Sequence, residues 1–383
     1  MSEAVVLVGG GLAAVSAAEL LRAEGFEGRI SLISEEIAPP YDRPPLSKAY
    51  LMGEAGEAEI SLKQPEWYRE NEIDLILADP AVSIDGSTHM VALRSGRSLG
   101  YDKILVATGA RARVPENLPR PVAAKACSLR SRDDAERIRE RAEPGAKVAI
   151  IGGGVIGSEV AATLAEAKCE VSLTELSPRL MSRVLVPEAS ALLESVHRAH
   201  GVKLQLSSGW DASAQTIHDA DLVVFGLGIV RAIDLARTAG LALVNGAIRV
   251  NEFCQTSIPD IYAAGDVAAL QLADGSQIMQ ESWSAAKAQG KLAAKHMLGR
   301  AVGPYDEVPW MWTEQYHLYV QVLGHAEGAN TIVDGDPGSN AFTMFHTYQG
   351  RMVGATLINQ PNRRAKILKT IKSGGSADPH ITK

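Results

Sequence analysis

A glycine-rich turn that occurs twice constrains this chain more than any other feature. "VVLVGGGLAAVSAAELL" opens at Val5, and "VAIIGGGVIGSEVAATLA" opens at Val148. Each copy passes from a short β-branched stretch through the glycines into an Ala/Leu-rich helical pattern. Each therefore predicts strand, turn, helix. The glycines in such a turn have separate jobs. The first allows the tight turn, the second lets a pyrophosphate approach the backbone, and the third lets the helix pack close to the strand. The second copy carries Gly152, Gly154 and Gly157, with Val155 and Ile156 opening its helix. The first carries Gly9, Gly11 and Ala14, with Leu12 and Ala13 opening its helix. Alanine in the third place costs a little packing room. The helix N-terminus then offers unbonded N–H groups and a positive dipole end to phosphates.

An acid follows each copy at the end of the next strand, at Glu35 in "RISLISE" and at Glu175 in "EVSLTE". A carboxylate there can accept both hydrogen bonds of a ribose diol and repels a 2′-phosphate, so Glu175 favours NAD over NADP. Arg179 and Arg183 follow closely and could soften that preference. One such turn also arises for purely structural reasons. Two copies, each followed by an acid, predict an α/β chain with two Rossmann-like dinucleotide-binding domains. Two more strand ends fit this architecture: Ala107-Thr108-Gly109 after "YDKILV", and Gly265-Asp266 after "IPDIYAA". An aspartate at such a place can bond a sugar hydroxyl, or it can cap a helix.

The bulk properties narrow the class. The 383 residues suggest two to three domains. A net charge of −7 argues against a nucleic-acid binder. No window approaches 18 uninterrupted apolar residues, so no membrane span is expected. The N-terminal run from Ala4 lacks a basic n-region and is broken by Gly9-Gly10-Gly11. It reads as a buried strand and turn, not a signal peptide. Cys127, Cys169 and Cys254 are far apart and form no C-x-x-C. A disulfide framework, a zinc knuckle and an iron–sulfur site within the chain are not expected, and reducing cytoplasm is the expected compartment. The histidines show no metal-ligand spacing, and His317 and His325 read as structural or exposed.

Further motifs accompany the turns: "YDRPPLSK" at 41–48, "ATGA" at 107–110, "LRSRDDA" at 129–135, "GGGVIGSE" at 152–159, "GD" at 265–266, "ESW" at 281–283 and "VPWMWTEQY" at 308–316. As an ordered set these resemble the FAD-dependent pyridine-nucleotide oxidoreductases. Within them, the set is most similar to the ferredoxin-reductase components of bacterial oxygenase systems, of the putidaredoxin-reductase and biphenyl-dioxygenase type. The resemblance implies a discontinuous FAD domain over residues 1–109 and 248–305, an NAD domain over 110–247 inserted into it, and a C-terminal α+β domain over 306–383 that covers the flavin. It implies that Glu35 holds the FAD ribose and Asp266 the ribityl chain. Arg43 and Arg130 resemble arginines of the FAD pyrophosphate region. Gly9, Gly11, Leu12, Ala13, Ala107, Thr108 and Gly109 complete the FAD turns, and the Val82 backbone meets the adenine. Lys48 and Glu159 resemble a catalytic pair beside the flavin N5. Trp283 and Trp310 resemble residues bordering the isoalloxazine ring, whereas Trp312 reads as a core aromatic. NADH is assigned to Gly152, Gly154, Val155, Ile156, Gly157, Glu159, Glu175, Arg183 and Gly228.

The chemistry implied is conversion of a hydride from NADH into single electrons for a [2Fe-2S] ferredoxin, with flavin as converter. Lys48 would be a buried cation near the ring, kept charged by Glu159. Ser47 bears on the acceptor. Relatives that reduce disulfides or peroxide carry a redox-active cysteine near this place, and a hydroxyl cannot replace a thiolate as a two-electron carrier. Electrons would therefore leave for an external acceptor. An acidic ferredoxin would dock transiently on a basic face, and Arg363, Arg364, Lys366, Lys369 and Lys372 could supply one on a helix. A solvated helix side reads the same way. The resemblance implies a monomer or weak homodimer. Two departures stand out. Only "SSGWDASAQTIHDA" lies where relatives place a β-hairpin, and "GLGIVRAIDLA" replaces a Pro-containing turn, putting Arg231 where NADH affinity could change. Rubredoxin reductase, a general NADH diaphorase and an NADH-sensing flavoprotein of the apoptosis-inducing-factor type are the alternatives.

Overall fold

The computed structural model describes residues 3–211, 214–272 and 274–376. Two compact units emerge. The first comprises Met1–Asp42, Glu57–Arg111 and Val230–Glu307; the second comprises Arg43–Gly56, Ala112–Ile229 and Val308–Lys383.

The first unit is built on the first glycine turn. The run "AVVLV" forms strand Ala4–Val8, buried at every position. β-branched residues on both faces suit a strand covered on both sides, as in a parallel sheet. This strand pairs in parallel with Arg29–Ile33 and Lys103–Val106, and Ile73–Ile76 and Ile261–Ala263 complete a five-stranded sheet. Helices Leu12–Ala23 and Trp283–Met297 pack on each other. Leu7, Leu21, Ile30, Leu32 and Ile104 are fully buried in this core.

The second unit repeats the plan and adds a sheet. Its parallel sheet runs in the order Lys203–Gln205, Glu170–Thr174, Lys147–Ile151, Leu222–Phe225, Ala126–Ser128. Between Gln205 and Leu222 the described residues form a single short helix, Gln215–His218, so the edge is short; Ala212 and Ser213 lie outside the described residues. Trp210 from this segment packs edge-on against Phe225, with ring centroids 5.4 Å apart. The added sheet is antiparallel, ordered Trp310–Gln315, Leu318–Gly324, Arg351–Ile358, Phe342–Tyr348, Asn330–Asp334. Helix Arg364–Lys372 lies on it through the fully buried Ile367. On its other face Leu318, Val320, Phe342 and Met344 share a core with Met181, Leu185 and Leu193.

The chain passes between the two units at 111/112 and again at 307/308. The chain returns to the first unit at Val230, earlier than the expected 248. Ile233, Leu235, Ala236 and Leu241 are the cause, because they bury themselves in the first unit's core. The segment Arg43–Gly56, expected to travel with the FAD domain, clusters with the second unit instead. It buries Leu46, Ser47, Tyr50 and Leu51 there. The C-terminal sheet likewise clusters with the second nucleotide fold through the shared apolar core.

Candidate active site

Both glycine turns are too tight for a side chain at their first position. Gly9 and Gly152 sit at φ of 130° and 103°, where L side chains are strained. A Cβ on Gly9 would lie 2.1 Å from the carbonyl oxygen of Ala107, and one on Gly152 would lie 2.4 Å from that of Gly226. The third position differs between the copies. A Cβ on Gly157 would meet the Gly152 carbonyl oxygen at 1.9 Å, so this helix touches its own turn. Ala14 fills the corresponding place in the first unit and is fully buried.

The second turn opens into a cavity of about 410 Å³ within the second unit. Gly152, Gly154, Ile156, Glu175, Arg183 and Gly228 line it, as do Arg43 and Arg130. Val155, expected beside them, is not among the lining residues and packs into the apolar core. The Glu175 carboxylate accepts from the N–H of Gly153 at 2.5 Å and of Ser177 at 2.7 Å, so it is oriented by its own turn. Arg183 is beside it in the cavity, but Arg179 is not. Arg179 donates to the carbonyls of Leu185 and Ser182 and to Ser190. Leu176, Gly209 and Trp210 also line the cavity and had no signal in the glycine pattern. The segment between Gln205 and Leu222 carries the latter two and so forms part of the wall.

Lys48 and Glu159 meet as the resemblance implies. The Lys48 Nζ is 2.8 Å from Glu159 Oε2, with the carboxylate side chain only 2% exposed. Lys48 also donates to the Pro44 carbonyl at 3.1 Å. A buried ion pair holds together only when its remaining lone pairs are satisfied. Here Ser47 Oγ donates to the same Oε2, and Thr313 Oγ1 donates to Oε1 at 2.8 Å. Thr163 Oγ1 anchors the loop by donating to the Ser47 carbonyl at 2.7 Å. The sequence marked Ser47 only by the missing thiol; its bond to Glu159 and that of Thr313 had no motif to reveal them.

The first unit supplies the other expected positions. Glu35 follows its strand, half exposed, 3.4 Å from Arg94 and 3.9 Å from Arg111. Thr108 Oγ1 donates to the Ala232 carbonyl, next to Gly109 in its left-handed conformation. Val82 is 47% exposed on the strand Ala81–Asp85. Trp283 opens its helix and donates from Nε1 to Asp42 at 2.8 Å, with the Lys287 ammonium 4.9 Å from its ring centre. Arg231 is fixed by its bonds to the Asp266 carbonyl at 2.9 Å and Glu281 at 2.5 Å. It braces the Gly265-Asp266 turn.

In the second unit the aromatic run departs from expectation. Trp312 is not a core residue: it is half-buried and stacks on Trp310 at 5.6 Å. Strand alternation explains this, because Trp310 and Trp312 share one face while Thr313 and Gln315 take the other. Arg364 covers Trp310, with its guanidinium 4.4 Å from the ring centre. Arg363 is also corrected. It lies in the turn Pro361–Arg363 before the helix, and its guanidinium reaches inward to Asp334 at 2.7 Å and Thr343 at 2.9 Å. It therefore does not join the exposed basic face with Lys366 and Lys369. His317 and His325 are exposed, and the described residues contain no cluster able to hold a metal ion. No helix among them is long and apolar enough to cross a membrane.

The comparisons with known proteins agree with this architecture. Residues 3–290 match the family described as pyridine nucleotide-disulphide oxidoreductase, and residues 310–382 match the reductase C-terminal family. The chain belongs to the pyridine nucleotide-disulphide oxidoreductase family. It is an oxidoreductase of the FAD- and NAD(H)-dependent kind. A relative at 36% identity over 372 residues is the 5,5′-dehydrodivanillate O-demethylase ferredoxin reductase subunit of Sphingobium sp., covering 93% of this chain and 90% of the relative. The crystal structure of a covalent putidaredoxin reductase–putidaredoxin complex superimposes with a TM-score of 0.91 at 32% identity, covering 99% of this chain and 95% of that one. The ferredoxin reductase for the CYP199A2 system from Rhodopseudomonas palustris gives 0.90 at 30% identity, covering 99% and 96%. The three cysteines of this oxidoreductase, Cys127, Cys169 and Cys254, are free and distant from Ser47 in sequence. Burial raises the Cys127 and Cys169 thiols and pushes that of Cys254 up to about 12.

Proposed function

We propose that this chain is an NADH-dependent, FAD-containing reductase that delivers electrons to a [2Fe-2S] ferredoxin of an oxygenase or cytochrome P450 system. The observation that carries this reading is the hydroxyl at Ser47. It donates to Glu159 beside Lys48, and the three thiols of the chain lie elsewhere and resist ionisation. No thiolate is offered as an intermediate carrier, so the acceptor is external. The names of the ferredoxin-reductase relatives support the choice of acceptor.

Bound FAD supplies the change from one hydride to two single electrons. This chain's residues bind and orient. Within the second unit, Gly152, Gly154, Ile156, Gly157, Arg183 and Gly228 hold NADH, and Glu175 accepts from its ribose diol and disfavours a 2′-phosphate. Arg43, Arg130 and Trp310 contribute FAD contacts there. Lys48, held by its 2.8 Å ion pair with Glu159, would lie beside the flavin ring and orient it. Within the first unit, FAD contacts fall to Gly9, Gly11, Leu12, Ala13, Glu35, Val82, Ala107, Thr108, Gly109, Asp266 and Trp283. The turn-forming glycines with no room for a Cβ support both assignments. An acidic ferredoxin docks on the basic face of Arg364, Lys366 and Lys369. We place the enzyme in the cytoplasm, as a monomer or weak homodimer.

The test is ferredoxin-dependent reduction of cytochrome c with NADH. Added [2Fe-2S] ferredoxin should raise the rate strongly, and the gain should fall with salt and with the double charge reversal R364E/K369E. A rate indifferent to every ferredoxin tried, or flavin bleached equally well by NADPH, rules the reading out.

A further inference from the structure

A buried chain of hydrogen bonds ends on Glu159. Tyr316 is 3.0 Å from His197 Nδ1, and His197 Nε2 is 2.8 Å from Gln315 Oε1. Gln315 Nε2 donates to Thr313 Oγ1 at 2.9 Å, and Thr313 donates to Glu159 Oε1 at 2.8 Å. All lie in the second unit, and His197, Gln315, Thr313 and Glu159 are at most 2% exposed.

The chemistry of each group fixes the direction of each bond. The amide oxygen of Gln315 only accepts, so His197 carries its proton on Nε2. Burial holds that imidazole neutral, with its pKa lowered to about 4, so Nδ1 has a lone pair and Tyr316 donates to it. Thr313 Oγ1 already accepts from Gln315, and its own hydrogen goes to the carboxylate. Every donor therefore points the same way, toward a negative charge, an arrangement in which each bond polarises the next. Gln315 Nε2 is also 3.6 Å from Met181 Sδ, a weak acceptor that leaves Thr313 its main partner.

We propose that Thr313, Gln315 and His197 are positioning residues for hydride transfer: they hold Glu159 Oε1 so that Oε2 is left to Lys48 and Ser47. This rests on the reading that Lys48 and Glu159 serve the flavin. The strand Trp310–Gln315 of the C-terminal sheet thereby sets the geometry of a pair whose members lie in the Arg43–Gly56 segment and in the second nucleotide fold. Thr313 is the member through which the chain acts.

The experiment is anaerobic stopped-flow reduction of the FAD-loaded enzyme by NADH, giving a limiting rate and a half-saturating NADH concentration. E159Q is the reference. T313V keeps the shape of threonine but removes the donor, T313S restores it, and Q315M breaks the chain one step back. A hydrogen bond to a charged group is worth enough that T313V should lower the limiting rate about tenfold. Half-saturation should stay within about twofold, T313S should recover the rate to within about twofold, and Q315M should lose about threefold. If T313V fails to retain FAD, Q315M against E159Q decides. Wild-type rates in T313V and Q315M beside a slow E159Q overturn the positioning role and leave the Lys48–Glu159 reading intact. So does a T313V loss that appears only in half-saturation, or that T313S shares. A wild-type rate in E159Q overturns the reading beneath both.

Discussion

At the residue scale, the molecule concentrates its cost in one ion pair. Removing Lys48 leaves the buried Glu159 carboxylate without its cation, so K48M should destabilise the second unit by about 3 kcal/mol, whereas E159Q leaves only the partly exposed Lys48 unpaired and should cost less. The double variant K48M/E159Q should lose less than the sum, and a double-mutant cycle in urea measures the difference. Additive losses would mean that the pair is not coupled. The thiols make a second case. Burial pushes Cys254 up to about 12 and raises Cys127 and Cys169, so all three are protonated at neutral pH. Native protein should react slowly with a thiol reagent at pH 8, and Cys254 should react only on unfolding. Fast labelling of Cys254 in the native state would contradict the buried placement. The sequence carried half of this. Lys48, Glu159 and the absence of a thiol at position 47 are readable because they sit in motifs. The donor role of Thr313 is not, because it depends on a strand remote in sequence presenting its odd-numbered face to Glu159.

At the element scale, the third position of the two glycine turns differs by one methyl group, Ala14 against Gly157. Gly157 has no room for a Cβ, since the Gly152 carbonyl oxygen would be 1.9 Å away. G157A should displace the helix Val155–Glu166 and with it Glu159. We expect a loss of about 2 kcal/mol in stability and a raised half-saturation for NADH, whereas A14G in the first copy should cost about 1 kcal/mol or less. Equal effects in calorimetry would refute the asymmetry. Strand, turn and helix at both turns were legible because hydrophobic period and glycine placement are local properties. The basic helix was legible in part. Its periodic lysines are exposed, but Arg363 falls just before the first helical turn, where Asp334 and Thr343 draw it inward. No local pattern marks that boundary. The face taken by Trp312 escaped for a similar reason: the alternation of a strand is visible in sequence, but which face meets the apolar core is decided by partners elsewhere.

At the scale of the whole molecule, the second unit should be the acid-sensitive one. His197 and His346 are both buried there, and burial lowers each to about 4 from an ordinary 6.5. A depressed imidazole contributes stability that is complete above pH 6.5 and is lost as pH falls toward 4, because the unfolded chain takes up the proton first. The loss is about 3 kcal/mol per histidine at pH 4. Thermal unfolding followed from pH 7 to pH 4 should show it, and H346Q should flatten the slope; a slope unchanged by H346Q would remove that histidine as a cause. The same unit depends on its C-terminal sheet. A chain ending at Glu307 would leave Met181, Leu185 and Leu193 without their cover, and it should aggregate or lose its cooperative transition. The expectation of two nucleotide folds and a terminal α+β portion follows from motifs in order. The grouping of Arg43–Gly56 with the second unit does not, because it is set by where Leu46, Tyr50 and Leu51 are buried. That grouping has a consequence for recombination. Lys48, Glu159 and Thr313 lie on three separate stretches of chain, divided by crossings at 42/43, 56/57, 111/112, 229/230 and 307/308. A chimera that exchanges only residues 112–229 with a relative imports a foreign carboxylate to a native lysine and threonine. To inherit one coherent site, such a chimera must take all three stretches from the same parent.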